Sequence, residues 1–146
     1  MSTQISEDAK ILADQLHSAA IHLLRKLRRE DAASGLNAPR LSALSVVVFA
    51  GPVTLGDLAA AEQVRPPTMT RIVDALAEHG LVGKKKNAQD GRSTLIHATA
   101  AGKRLFMQGR KRRVRALAAQ IAALKAEDRK ALANAAEILK RVIAAI

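Results

Sequence analysis

The chain has 146 residues, 49% of them apolar, and a formal net charge of +11, which fits one domain with a core of its own and a polyanionic partner. The absence of cysteine excludes disulfides, thiolate zinc sites and thiol redox sensing. Because MSTQISEDAK at the start has no apolar signal core and no apolar run approaches the roughly 20 residues that span a bilayer, we expect a cytoplasmic protein without a membrane partner.

Residues 6–34 are predicted to form one long helix. Ser6 is a suitable N-cap, and Gly35 is a suitable stop. Apolar residues recur at spacings of three and four and form one stripe: Ala9, Leu12, Leu16, Ala19, Leu23 and Leu27. At 1.5 Å per residue the helix is about 40 Å long, which is more than a small domain covers by itself.

Three short helices are predicted between residues 37 and 80. Pro39 is expected to break the chain before the first helix, and Gly51-Pro52 is expected to end it. Pro66 suits the first turn of the third helix, and Gly80 suits its end. The predicted bounds are 43–50 with Ser42 as the cap, 55–62 with Thr54 as the cap, and 66–79.

A β-hairpin and two further helices are predicted after Gly80. The arms of the hairpin are 81–86 and 92–98, and Asp90-Gly91 is a strong turn signal between them. Thr99 can cap a second long helix that runs to about Leu124. Glu127 and Asp128 favour the start of a last helix, because acidic residues stabilise the first turn.

The positive charge is concentrated in one third of the chain. Between Arg65 and Arg115 there are thirteen Lys and Arg residues and three acidic residues, whereas the rest of the chain has eleven basic and ten acidic residues. A charge excess that serves solubility need not be localised, so this segment is expected to meet the polyanion. Its densest run, RKRRVR at 110–115, spreads over several faces of a helix, which favours a solvated helix surface over direct DNA contact.

Two short helices joined by a tight turn and followed by a basic hairpin are typical of a winged helix-turn-helix. In the third short helix four apolar residues share one face that must be buried: Met69, Ile72, Val73 and Leu76. The side chains predicted to face the DNA major groove lie in its N-terminal half: Arg65, Pro67, Thr68, Thr70 and Arg71. The positive pole of this helix is expected to aim at phosphate. The alternative is an ordinary amphipathic helix with a solvated polar face.

The charged residues of the hairpin are expected to contact the DNA backbone and the minor groove. Lys84, Lys85 and Lys86 alternate sides on a strand, so at most two contact phosphate, and we assign Lys84 and Lys86. Arg92 is predicted to enter the minor groove, with the carboxylate of Asp90 fixing its guanidinium. The alternative is a surface ion pair worth less than ~1 kcal/mol.

The segment from Leu41 to Gly102 resembles the winged helix of the MarR (multiple antibiotic resistance regulator) family. The family pattern is found here, in order, as Leu58-Ala59; Pro66, Thr70, Arg71 and Leu76; Gly80-Leu81-Val82; Asp90-Gly91-Arg92-Ser93; and Thr99-Ala100-Ala101-Gly102. Two departures are Arg65, where the family often has a capping Ser, and Gly83, where an Arg usually follows Gly-Leu-Val.

The resemblance implies a mainly α fold with a small β-hairpin wing. Residues 36–99 would form the winged helix-turn-helix DNA-binding domain, and 1–35 with 100–146 a helical dimerisation region. It also implies a homodimer that binds a pseudo-palindromic operator in double-stranded DNA, usually as a repressor. Such repressors are often released by a small aromatic or lipophilic effector, which we expect where the dimer helices meet the winged domain.

The sequence offers little for catalysis or metal binding. It contains no Ser-His-acid, paired-carboxylate or Gly-rich phosphate-loop pattern, so neither an enzyme nor a cofactor is expected. His17 and His22 are five residues apart and do not form an i,i+4 metal pair. Two other functions stay open. One is a nucleoid-associated or RNA-binding protein without sequence selection, although the chain lacks aromatic stacking residues. The other is a helical partner-binding module without DNA contact.

Overall fold

The computed structural model describes residues 5–146, so the first four residues of the predicted dimerisation region lie outside the described part. Within this range the chain forms six α-helices, one 3-10 helix and three short strands. In chain order they are α1 Glu7–Leu27, the 3-10 helix Arg28–Ser34, α2 Ala38–Ala50, β1 Val53–Thr54, α3 Leu55–Ala61, α4 Pro66–Glu78, β2 Val82–Lys86, β3 Thr94–Ala98, α5 Ala100–Ala122 and α6 Ala126–Ala145. The predicted fold class, mainly α with a small wing, is confirmed.

The first long helix is shorter than predicted. Ser6 caps it, because its Oγ accepts a hydrogen bond from the backbone N–H of Ala9 at 3.3 Å. However, α1 ends at Leu27, and the chain continues as the 3-10 helix until Gly35, whose φ is 71°. This 3-10 helix packs against α5, and Arg112 Nε donates to the carbonyl of Glu30 at 3.3 Å. The single helix over 6–34 was therefore wrong, and the change of winding occurs where the segment meets α5.

The second helix begins five residues earlier than predicted. It starts at Ala38, and the Oδ1 of Asn37 accepts from the backbone N–H of Arg40 at 3.1 Å. Pro39 lies within the first turn, where a residue needs no free N–H, so it does not break the helix. Ser42 is consequently inside α2 and not its cap. The predicted end at Gly51 is confirmed.

The helix-turn-helix itself follows the prediction closely. Thr54 caps α3 by accepting from the N–H of Asp57 at 3.1 Å. Gln63, with a φ of 55°, provides the tight turn between α3 and α4. Gly80, with a φ of 69°, ends α4. The backbone N–H of the next residue, Leu81, donates to the carbonyl of Leu76 at 3.0 Å.

The wing belongs to a three-stranded antiparallel sheet with the order β1-β3-β2. The extra strand, β1, pairs Val53 with Ile96 and Thr54 with Leu95. The register of the hairpin runs from Val82 opposite Ala98 to Lys86 opposite Thr94. Its arms are shorter than predicted, since residues 81, 92 and 93 lie outside the strands. A two-residue strand such as β1 carries no periodicity, so sequence patterns did not reveal it.

The core lies in the middle of the chain. The largest fully buried side chains come from α2, α3, α4 and β3: Leu44, Val47, Leu58, Met69, Val73, Leu76 and Ile96. By contrast, α1 and α6 contain no buried residue. No single helix in the described range is long and apolar enough to cross a membrane.

The junction between the wing and α5 explains the Thr-x-x-Gly motif. The Oγ1 of Thr99 donates to the carbonyl of Gly80 at 2.6 Å and accepts from the N–H of Gly102 at 3.0 Å. A Cβ at position 102 would overlap the carbonyl oxygen of Leu81. The glycine therefore lets α5 pack directly on the backbone that leads into the wing.

Candidate nucleic-acid interface

The helix predicted to contact the major groove, α4, presents the predicted face to solvent. Met69, Val73 and Leu76 are buried, and Ile72 is half-buried, as the periodicity indicated. The five side chains predicted to face the major groove are all exposed and lie around its N-terminal half: Arg65, Pro67, Thr68, Thr70 and Arg71. The fold thus brings them together on one surface.

The first turn of α4, from Pro66 to Met69, has no free backbone N–H for a phosphate. Pro66 and Pro67 occupy its first two positions and have no N–H. The next two N–H groups, of Thr68 and Met69, donate to the carbonyl of Arg65 at 3.0 and 3.1 Å. The expected positive pole therefore lacks the free N–H groups through which such a site normally acts. Phosphate contacts at this end would depend on side chains.

The polar side chains of this surface differ in their freedom. Arg65 and Arg71 lie within 4 Å of no carboxylate in the described range. Arg65 also makes no capping hydrogen bond. The Oγ1 of Thr70 donates to the carbonyl of Pro66 at 3.0 Å, so in this conformation it can only accept from a base. The two guanidinium groups and the hydroxyl of Thr68 therefore stay available as donors on this surface.

Lys84, one of the two lysines assigned to phosphate, contacts the protein instead. Its Nζ forms an ion pair with the carboxylate of Asp74 on α4. The reason is strand alternation: Lys84 and Ile96 face α4 across a small cavity, whereas Lys85 lines a cavity on the other face of the sheet. Lys86 is exposed and has no carboxylate within 4 Å among residues 5–146.

The tip of the wing is held differently from the prediction. The Oδ1 of Asp90 accepts from the backbone N–H of Arg92 at 3.0 Å, and no carboxylate of the described residues lies within 4 Å of the guanidinium. The short side chain of Asp reaches the N–H two residues on, while the long side chain of Arg92 is exposed. Asn87 and Ser93 close the tip, since Asn87 N–H donates to the Ser93 carbonyl at 3.0 Å. Asp90 therefore shapes the backbone that carries Arg92.

A second cavity lies where α1, the 3-10 helix, α2 and α5 meet. Its volume is about 260 Å³, and its walls include Leu24, Leu41, Ser45 and Phe106. Two charged residues on its wall, Asp31 and Arg113, form an ion pair with 3.6 Å between Oδ1 and Nε. No spacing in the sequence singled out Asp31, because its partner lies in a distant part of the chain.

The basic run at 110–115 is divided by this arrangement. Arg112 and Arg113 contact the 3-10 helix, while Arg110, Lys111 and Arg115 are exposed. Arg112 and Arg113 therefore have a structural role, which differs from the solvated helix surface that was expected for the run. For the exposed part of the run, the preference for a solvated helix surface over direct DNA contact stays a prediction.

The described histidines do not converge. The Nδ1 of His22 lies 2.8 Å from the carbonyl of Ser18, and that of His79 lies 2.7 Å from the carbonyl of Ala75. These two rings are thus bonded within their own helices. Among residues 5–146 no group of three His, Asp or Glu side chains could hold a metal ion.

The chain resembles known regulators in both sequence and fold. The MarR family model matches residues 36–94. A protein of Mycobacterium leprae named as an uncharacterized HTH-type transcriptional regulator is 34% identical over 139 residues, which cover 95% of this chain and 96% of that protein. The crystal structure of a putative transcriptional regulator protein from Pseudomonas aeruginosa PA01 has a TM-score of 0.79 at 26% identity and covers 95% and 98% of the two chains.

A fold of the same kind is seen in a complex with nucleic acid. A mutant of S. aureus MepR bound to an oligodeoxyribonucleotide has a TM-score of 0.68 at 18% identity, over 90% of this chain and 97% of that one. With the winged helix-turn-helix, the exposed face of α4 and a relative that matches almost end to end, the chain belongs to the MarR family of transcription regulators, which are not enzymes.

Proposed function

We propose that this regulator binds a pseudo-palindromic operator as a homodimer and acts as a repressor that a small ligand releases. One observation carries the proposal: the exposed N-terminal surface of α4 holds two unpaired arginines next to a cationic wing. An unpaired Arg on a rigid helix is the side chain that most often identifies guanine. With DNA as its partner, the protein would act in the cytoplasm.

Each side chain on α4 has a role that fits its chemistry. Arg71 would donate to guanine O6 and N7, and Arg65 would contact a base or a phosphate. Thr70, whose proton is held by the helix, would accept from an exocyclic amine, and Thr68 would contact a base or a phosphate. Pro67 would touch a thymine methyl group.

The wing would lie along the backbone next to α4. Arg92 would enter the minor groove, whose negative potential is greatest where the groove is narrow. Asp90 would keep the backbone of Arg92 in place through the 3.0 Å hydrogen bond. Lys86 would contact phosphate, while Lys84, paired with Asp74, would contribute mainly by holding the wing to the helix.

The proposed homodimer rests on the apolar surface of the terminal helices. Leu12 and Leu16 on α1 are 65% and 42% exposed, and Ile138 and Val142 on α6 are 48% and 47% exposed. Helices with such stripes are stable when another surface covers them. Since a two-fold operator requires two copies of the reading helix, a second copy of this chain is the partner we propose. Residues 1–35 and 100–146 would then form the dimerisation region, and 36–99 the DNA-binding domain.

The proposed effector site is the cavity beside Asp31 and Arg113. It lies between α1, which belongs to the proposed dimer region, and α2, which belongs to the DNA-binding domain. A small aromatic or lipophilic molecule would contact Leu24, Leu41 and Phe106 there. Its occupation would change how the two regions pack and thereby the distance between the two reading helices.

Footprinting tests the proposed DNA recognition. The experiment uses DNA from the protein's own genomic neighbourhood, physiological salt and competitor DNA. A discrete protected inverted repeat supports a dimeric, sequence-specific regulator. Uniform protection along the whole DNA fragment would indicate a nucleoid-associated or RNA-binding protein without sequence selection. Absence of binding would indicate a helical module that acts through another partner.

The ligand response needs its own test, because an operator can be bound without any effector. A panel of aromatic acids and lipophilic compounds should include some that raise the melting temperature and release the operator. The change Leu41→Arg in the wall of the cavity should abolish that release while operator binding persists. A panel without effect on either quantity contradicts the effector proposal and leaves DNA recognition unaffected.

A further inference from the structure

The sheet has a second face, turned away from α4, and a cavity of about 310 Å³ lies against it. Lys85 of β2 and His97 of β3 line this wing-base cavity. Pro52, after the end of α2, and Lys103, near the start of α5, also line it. It shares no lining residue with the cavity beside Arg113.

The charge around the wing-base cavity is entirely positive. Its lining contains Lys85 and Lys103 but no acid, and neither ammonium lies within 4 Å of a carboxylate of the described residues. Two ammonium groups around one concave surface repel each other, and an anion between them removes that repulsion. The rest of the lining is largely apolar, with Val47, Val48 and Leu95.

His97 adds a polar group that the fold does not satisfy. Its Nδ1 is buried and has no hydrogen-bond partner in the described part of the chain. Leaving such a group unpaired costs about 1–3 kcal/mol, so native structures seldom do so. The ring lies against Gly83, the residue opposite it in the sheet, and a Cβ at position 83 would overlap the imidazole. Gly83, the departure from the family pattern, therefore makes room for the ring at this cavity.

We propose that the wing-base cavity binds a small organic anion with a compact apolar body. The anionic group would lie between Lys85 and Lys103, beside the imidazole of His97, which also lines the cavity. The apolar body would pack on Val47 and Leu95. Ligand pockets commonly have volumes of about 300–1,000 Å³, so this cavity suits a single ring or a short branched chain. A carboxylate on such a body matches both the charge and the size.

A bound carboxylate would also affect the wing. It would join β2 to α5 and would neutralise one cation at the base of the hairpin that carries Arg92. The site is independent of the proposed effector cavity and of DNA binding, so it can be tested on the protein alone.

The probes are benzoate and isobutyrate, each paired with its neutral amide, titrated into the full chain and followed by the NMR signals of the His97 imidazole. A His97→Gln variant assigns those signals. We expect saturable shifts with at least one acid and none with its amide. The double change Lys85→Gln and Lys103→Gln should weaken binding by roughly tenfold or more, because charge-assisted hydrogen bonds are lost. The matched control, Lys86→Gln with Lys111→Gln, should leave binding unchanged.

Three outcomes overturn the proposal. One is that neither acid saturates by about 10 mM. Another is that the double lysine variant binds as well as the parent chain while Arg113→Gln loses binding, which would place the acid in the other cavity. The last is that neither acid binds but the lysine variant loses affinity for nonspecific DNA, which would assign these lysines to the DNA backbone.

Discussion

Lys84 on β2 forms an ion pair with Asp74 on α4, and this pair connects the wing to the helix that we propose to enter the major groove. Both side chains are about half exposed, at 44% and 49%, so the pair contributes little to stability, at most about 1 kcal/mol. The pair matters because of where it lies: it joins Asp74, in the middle of α4, to a lysine of the hairpin.

Lys84 should therefore contribute less to the salt dependence of DNA binding than Lys86. Lys86→Ala should reduce the slope of log K against log salt by about one unit, as expected for one lost phosphate contact. Lys84→Ala should reduce it by clearly less, because its charge is already compensated. Asp74→Asn should steepen the slope and tighten binding by releasing Lys84. Equal losses for the two lysines in salt titrations would show that the ion pair opens on DNA.

Asp90 should act through its oxygen and not through its charge. Asp90→Asn keeps the acceptor for the N–H of Arg92 and removes a negative charge, so it should bind DNA as well as the parent chain or better. Asp90→Ala removes the acceptor, loosens the tip and should weaken binding. A pure charge effect would make both variants bind more tightly, which fluorescence anisotropy with an operator fragment would reveal.

Arg92 should recognise the width of the minor groove. Arg92→Ala should lose more affinity on an operator with A·T-rich flanks than on one with G·C-rich flanks, because the narrow groove has the stronger negative potential. The two operators should differ only in those flanks. The same loss on both would mean that Arg92 acts as one more charge on the DNA backbone.

Arg71 should contribute to specificity. Arg71→Ala is expected to weaken operator binding by about 1–3 kcal/mol and to affect a scrambled sequence much less. Arg115→Ala is the matched control, since Arg115 is also exposed but lies on α5. It is a better control than Arg113, which is engaged with Asp31. Comparable losses for both variants on both DNAs would remove the basis for α4 as the reading helix.

Gly102 and Gly109 should respond in opposite ways to alanine. Gly102→Ala places a Cβ against the carbonyl of Leu81, so it should reduce the free energy of unfolding by about 1–3 kcal/mol. At Gly109 the nearest atom to an added Cβ is Arg112 Nη2 at 3.7 Å, which leaves room for a methyl group. Gly109→Ala should therefore increase the free energy of unfolding by up to about 1 kcal/mol. Urea unfolding measures both. Two stabilising changes would mean that the backbone at the start of α5 can shift.

Much of the helix-turn-helix and of its reading surface was determined by the sequence alone. The caps at Ser6, Thr54 and Thr99, the end at Gly80 and the two faces of α4 depend on residues within a few positions of one another. Such features follow from local hydrogen bonds and from a helical period of 3.6 residues. The concentration of charge between Arg65 and Arg115 is likewise a property of the sequence, because it depends only on which residues that segment contains.

The remaining features depend on contacts between distant parts of the chain. The strand β1 exists because Val53 and Thr54 meet β3, which lies beyond two intervening helices and β2, and the 3-10 helix winds tightly where it meets α5. Likewise, only the pleat of β2 directs Lys84 to Asp74 and Lys85 to the opposite face. Strand alternation separated Lys85 from Lys84 and Lys86 already in the sequence. Only tertiary packing distinguished Lys84 from Lys86, because it places the carboxylate of Asp74 against one of them.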